Sequence, residues 1–509
     1  MNQNFIIPIA LFFFAFSLFS YNLDQMSYFG DEQNYWYPFS VKYMELMLNG
    51  DFFNECWKDY RFCIGDLDKL NADMNESYIG QALYPPQTPF ILIVGTSFQI
   101  FGNDDSIFSF ENLTAARLAS PVLGALIVVF AFEIGKQIFN RFVGLSFSLL
   151  VLFHGLTVVY SRLIMLEIVS NFFLIFSFWL FIKAIKSKNI NIKFLACSAF
   201  LCSLGIITKF YEVFALIPIF IILLIFRNEF KQQLQKTIVW KRFFSSSIPL
   251  SIFIVVIITG SFFMVQPFFW NEPIEQLSKL RNSAYGSYGT FKPPFSDGSK
   301  PPHINFIGIF SATIAPIADF YYYNFSDHIP QTGSIGKTVI SNFSTIPLSG
   351  LFFIGIGFLI HDIRIKNFQF SKFIILVWYI FTFISLMLTI HTYNHDRYWI
   401  ELFIPMMLIA SFGAYRLTRN VRKFIQSSFL ALFVIAHSVS ILIYWELLYY
   451  NSTLRPECLL KACLGSPLPI SIQESIDNPL VFLLGIIFCI FTCILLFKMQ
   501  KYKKLKSVN

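Results

Sequence analysis

The sequence predicts an all-α polytopic membrane protein with about twelve spans, and three observations predict it. Hydrophobic residues fill 55% of 509 positions and charged residues only 13%, too little charged surface for a soluble chain of this length. The apolar residues gather into runs close to the roughly 20 residues that cross a bilayer. The basic residues fall in short clusters between those runs, the pattern by which charge orients helices. That pattern also accounts for the net charge of +8 without a nucleic-acid partner.

The runs place spans near 5–21, 116–135, 142–160, 163–183, 194–208, 212–226, 245–266, 346–361, 373–390, 399–415, 425–445 and 480–497. With these spans every basic cluster falls on one face: Lys136 with Arg141, Lys183 to Lys193, Arg227 to Arg242, Arg364 to Lys372, Arg416 to Lys423 and Lys498 to Lys506. That face is expected to be cytoplasmic, and so are both termini. The first run lacks a basic n-region and a small-x-small cleavage site, so it reads as a retained helix rather than a signal peptide. Phe90 to Phe101 is shorter and is interrupted by Thr96, Ser97 and Gln99. It reads as an interfacial helix of the first external loop, the alternative being a true span that would move every later cluster to the other side.

Two further features agree with this sidedness. The Asn-x-Ser/Thr sequons at Asn75, Asn112, Asn324, Asn342 and Asn451 all fall outside. So do the cysteine pairs Cys56/Cys63 and Cys458/Cys463, which could close small disulfide loops in an oxidising compartment. Cys197, Cys202, Cys489 and Cys493 lie within helices and read as apolar packing. The organisation expected is a transmembrane module over 1–266 with an external loop at 22–115, an external segment at 267–345, and C-terminal helices over 346–509 with a loop at 446–479.

Chemistry concentrates on the outer side. Asp31-Glu32 follows the first span, where partial desolvation and mutual repulsion favour a raised carboxylate pKa. Such a group can act as a general base, or it can simply be a solvated helix start. Arg117, Arg162, Glu167, Lys209 and Glu212 stand at helix ends on that same side. Singly each could snorkel, yet ionisable residues in apolar segments are costly and mark function. The fourth cluster is His391 to Tyr398, in which Arg397 offers a planar fork for phosphate and His395 a second donor. Its histidines and Asp396 do not follow a recognised zinc spacing. The combination suits a substrate with an anionic phosphate at the membrane surface and a neutral polar part beyond it.

In their order along the chain these residues resemble the GT-C glycosyltransferases, and among them the protein O-mannosyltransferase and lipid A aminoarabinose transferase relatives. Asp31-Glu32 is similar to the acidic pair of the first loop, and Tyr84-Pro85-Pro86-Gln87 to a His-Pro-Pro-Leu stretch. Arg117-Leu118 resembles the Arg-Leu of the next span. Ser161 to Glu167 resembles a Ser-Arg-x-x-Leu-Leu-Asp run, with Glu in place of Asp. Thr208-Lys209, and later Arg397-Tyr398 with Pro405, resemble the remaining motifs. There is no room for the β-trefoil insert of eukaryotic O-mannosyltransferases, and the Trp-Trp-Asp motif of oligosaccharyltransferases is absent.

The resemblance implies surface helices in the first external loop and a single sugar, mannose-like, taken from a polyprenyl- or dolichyl-phosphate donor on the external or lumenal face. The acceptor would be a hydroxyl of a protein, a glycan or a lipid. Asp31 would be the base and Glu32 a positioning group. Arg162, Lys209, Arg397, His395, Tyr398, Arg117 and Glu167 would serve the donor phosphate and sugar. No cofactor is required, and a divalent cation stays open. The rival reading from residues alone is a transporter or flippase, against which stand the lack of two related halves and the position of the charges at one face.

Overall fold

The computed structural model describes residues 3–21, 23–25, 36–57, 87–103, 109–187, 190–209, 216–232, 240–270, 272–276, 278, 348, 350–362, 369–389, 400–420 and 428. Among these the regular structure is helical, with no strand. The helices are α1 (Gln3–Ser20), α2 (Tyr37–Leu48), α3 (Thr88–Phe101), α4 (Phe110–Arg117), α5 (Ala119–Ile138), α6 (Arg141–Leu152), α7 (Gly155–Tyr160), α8 (Leu166–Lys186), α9 (Ile192–Thr208), α10 (Leu216–Gln232), α11 (Trp240–Val265), α12 (Gly350–Asp362), α13 (Phe370–Thr389) and α14 (Ile400–Thr418).

Ten of the expected apolar runs coincide with these helices; 480–497, and 425–445 apart from Ser428, lie outside the described residues. Among the described residues, four stretches are both long and apolar enough to cross a membrane: Glu111–Ile138, Leu166–Lys186, Ile248–Val265 and Ile400–Thr418. The run expected over 142–160 is two helices. α6 closes at Phe153, and a new helix starts after His154 at Gly155. The run expected from 163 begins only at Leu166, so Ser161 to Met165 form a connecting turn. Both differences have one cause: a uniformly apolar sequence does not reveal where the hydrogen-bond ladder is interrupted.

The chain forms two compact units. The first comprises Met1–Phe130, Val159–Ile307 and Leu376–Asn394. Its spine is the pair α8 and α9, linked by a few residues and N-capped at α9 by Asn191, whose side chain accepts from the Phe194 amide. Ser177 and Ser198 bond across the pair, each hydroxyl donating to the other's carbonyl at 2.7 and 2.8 Å. These bonds fix the register with small side chains that let the helices approach closely. Ser203 extends the packing by donating to the Ile258 carbonyl of α11 at 2.9 Å. Most residues of α8 are buried, whereas Ile252, Val255, Val256 and Met264 of α11 are exposed, so α8 is a core helix and α11 turns its apolar surface outward.

The segment between α1 and α4 has a small core of its own, in which Tyr43, Leu46, Cys56, Trp57 and Ile91 pack together. The Tyr43 hydroxyl donates to the Cys56 carbonyl at 2.8 Å, and Cys56 is disulfide-bonded. Cys63, its expected partner, lies outside the described residues, as does the pair Cys458/Cys463. The short apolar run is α3, 14 residues and hence about 21 Å long, less than the roughly 30 Å hydrocarbon core. It buries Phe90, Ile91 and Val94 and leaves Ile100 and Phe101 exposed. Asn103 and Asn112 clasp its far end: the Asn103 amide donates to Asn112 Oδ1 at 2.8 Å and Asn112 Nδ2 to the Asn103 carbonyl at 3.3 Å. Asn112 is completely buried, so this sequon is closed in the folded chain.

The second unit comprises Ala131–Val158, Gly308–Ile375 and His395–Asn509. α12 and α14 touch through glycine, since a side chain at Gly413 would meet the backbone nitrogen of Gly355 at 2.9 Å. At the end of α12, buried Asp362 accepts from Arg416 Nη2 at 2.9 Å and faces Lys372 Nζ at 2.7 Å. His361 Nδ1 stands 3.6 Å from the same carboxylate. Burial alone would raise the carboxyl, but Lys372 and Arg416, with a contribution from His361, hold it below the usual carboxylate range. A depressed folded-state pKa gives stability that is complete above the ordinary range and is lost as pH falls through the folded value. Asp362→Asn is expected to cost about 3–5 kcal/mol near neutrality, because two cations are left uncompensated. In detergent melts the gap to the unsubstituted chain should close at acid pH; a gap independent of pH would contradict this.

Candidate functional site

The described part of the expected site lies in the first unit, where four ionisable side chains stand at or beside helix ends and interact as two pairs. Arg117 is the last residue of α4 and is completely buried. It closes that helix rather than opening the next. Arg162 sits in the connecting turn between α7 and α8 and is 3% exposed. Burial first, and the neighbouring Arg117 guanidinium second, lower its pKa to about 10, which leaves it charged at neutral pH. Two like charges in a dry setting repel, so holding them there requires a surrounding structure that fixes both.

Glu167 and Lys209 meet as an ion pair, Lys209 Nζ to Glu167 Oε1 at 3.4 Å, each about 5% exposed or less. The serine seam explains the meeting. Ser177 lies ten residues after Glu167 and Ser198 eleven before Lys209, so both ends are about 15 Å from the seam at 1.5 Å per residue. Antiparallel helices in that register bring the N-terminus of α8 beside the C-terminus of α9. The helix dipoles favour this placement, since Glu167 lies in a first turn and Lys209 caps a last one. The first turn of α8 is braced further, because Asn171 Nδ2 donates to the Glu167 carbonyl at 2.9 Å and Ser170 Oγ at 3.2 Å.

Along the chain Arg162 of one pair lies five residues before Glu167 of the other. Buried cations at helix ends are groups that can bind a compact anion and stabilise charge leaving with it. Asp31, Glu32, His395, Arg397 and Tyr398 lie outside the described residues, so the structure neither adds them to this cluster nor separates them from it. Among the described residues no group of three His, Cys, Asp or Glu could hold a metal ion.

Ser120, Gly124 and Asn171 border the cluster and were not singled out by sequence. Asn171 lies one turn beyond Glu167, a spacing that could have drawn notice. The second unit has buried ionisable residues of its own: His154, whose ring centroid lies 5.0 Å from that of Phe403, and Glu401. Each stands inside an apolar run, which is the signal that could have found them.

Comparison with known proteins bears on the same stretch. Residues 93–258 match the family described as dolichyl-phosphate-mannose-protein mannosyltransferase. The match spans about a third of the chain and includes Arg117, Arg162, Glu167 and Lys209, but neither Asp31 nor Arg397. The match makes this segment similar to a mannosyltransferase family, in agreement with the resemblance of the ordered motifs. Among solved structures, ArnT from Cupriavidus metallidurans bound to undecaprenyl phosphate is similar with a TM-score of 0.47 and 13% identity, over 95% of this chain and 77% of that one. The archaeal oligosaccharyltransferase AglB from Archaeoglobus fulgidus, in complex with an inhibitory peptide and a dolichol-phosphate, is similar with a TM-score of 0.49 and 12% identity, over 89% of this chain and 56% of that one. No sequence among the curated proteins matches the chain.

Proposed function

We propose that this protein moves a single sugar, mannose-like, from a polyprenyl- or dolichyl-phosphate donor to a hydroxyl on the external or lumenal side of its membrane. The observation that carries the reading is the buried group Arg117, Arg162, Glu167 and Lys209, which falls inside the segment matched by the mannosyltransferase family. Arg162 and Lys209 hold the donor phosphate, with Arg397 and His395 adding contacts from the later loop. Glu167 orients Lys209, and Glu32 and Tyr398 position sugar or acceptor.

The chemistry is one displacement. Asp31 takes the proton of the acceptor hydroxyl as its oxygen attacks the anomeric carbon. The bond from that carbon to the phosphate oxygen breaks, and the lipid phosphate leaves with the electron pair, stabilised by the cations. The anomeric configuration inverts and no sugar–enzyme bond forms.

The test is transfer by the purified protein in lipid vesicles supplied with polyprenyl-phosphate mannose and a panel of acceptors. The acceptors are a Ser/Thr peptide, a short glycan and a glycolipid. Release of polyprenyl phosphate in step with glycosylation of one acceptor, with inverted configuration, is expected. Absence of transfer to every acceptor, with donor unconsumed, would remove this reading.

A further inference from the structure

We infer that Gly124 and Ser120 of α5 are positioning residues that set where the Arg162 guanidinium stands. The inference rests on the proposed role of Arg162 toward the donor phosphate. Arg162 is carried by the connecting turn from Ser161 to Met165, which has no helical ladder to fix it; its own short bond runs from the Met165 amide to the Leu163 carbonyl at 3.0 Å. Two of its fastenings come from α5. The Ser120 hydroxyl donates to the Leu163 carbonyl at 2.7 Å in a buried setting. One helical turn further along, Gly124 leaves room for the Ser161 side chain, which is itself completely buried.

The two fastenings flank Arg162 on both sides, so the root of its side chain is fixed against a core helix. The space at Gly124 is limited. An added Cβ would lie 2.6 Å from the Ser161 Cβ and 3.0 Å from Cδ2 of Phe19, a completely buried ring on α1. Ordinary carbon contact begins near 3.5 Å, so the turn or the ring must retreat by about 1 Å. A shift of that size at a group that positions a substrate can lower a rate by as much as about a hundredfold. Preorganisation of this kind depends on residues that never touch the substrate.

The experiment compares Gly124→Ala, Ser161→Gly and the double variant, full-length and in vesicles. Gly124→Ala is expected to lower kcat/KM for polyprenyl-phosphate mannose by about tenfold to a hundredfold, chiefly through donor use, with acceptor KM unchanged. Adding Ser161→Gly removes both colliding atoms of Ser161 and should bring the value back to within about threefold of the starting protein, a rescue that a general loss of stability would not show. The rate at which phenylglyoxal modifies Arg162, read by peptide mass spectrometry, should change in Gly124→Ala and return in the double variant. An Arg162 modification rate that is the same in all variants would overturn the inference whatever the protein transfers. So would a loss in Gly124→Ala that Ser161→Gly leaves unrepaired. An altered and rescued modification rate, in a protein that transfers no sugar, would sustain the positioning and retire the donor reading alone.

Discussion

Asp31→Asn is expected to lower sugar transfer by about a hundred- to ten-thousand-fold, the range attributed to general-base catalysis, while the protein still binds polyprenyl phosphate. The amide keeps the size of the carboxylate but cannot accept the hydroxyl proton. In the proposed mechanism the lipid phosphate is held by the cations and not by this carboxylate, so the loss should fall on the chemical step. Single-turnover transfer measured beside polyprenyl-phosphate binding separates the two. Glu32→Gln should have a smaller effect, felt mainly in KM, because the proposed role of Glu32 is to position rather than to deprotonate. Undiminished transfer by Asp31→Asn would exclude it as the base.

The second large effect is expected at Arg162. Arg162→Ala should reduce transfer by about a hundred- to a thousand-fold, as when one preorganised donor to a developing anion is lost, and should raise donor KM as well. Arg162→Lys should recover only part of this, because an ammonium supplies charge but not a planar fork. The substitution also removes the repulsion between Arg162 and Arg117, so the folded protein should not become less stable in proportion to its loss of activity. Melting in detergent checks that point. A fall in stability as steep as the fall in rate would assign Arg162 to the fold instead of the donor.

Much of this cluster was legible in the sequence for an energetic reason. Arg117, Arg162, Glu167 and Lys209 each interrupt an apolar segment, and a charge there is retained only against a cost of a few kcal/mol. Their partners were not legible. The Glu167–Lys209 pair depends on a register set by Ser177 and Ser198, which read as ordinary small polar residues in a helix. Gly124 likewise reads as one more small residue among apolar ones, and its part emerges only when the Ser161 turn lies against it. Lys372 and Arg416 were visible as cytoplasmic charges, a reading that weighs cations alone and so passes over Asp362, the carboxylate on which both converge. The break at His154 escaped for a further reason. The residues on either side of it are equally apolar, and hydropathy measures solvent preference rather than backbone continuity.

The clasp between Asn103 and Asn112 also orders events in time. In the finished fold the Asn112 side chain is spent on both sides of its amide and is closed to solvent, so no modifying enzyme can reach it. Only a nascent chain in which α3 has not yet closed on α4 offers that nitrogen. Any modification at this residue would therefore compete with folding, and whichever came first would foreclose the other: a sugar attached early would stand as a wedge where the clasp should form.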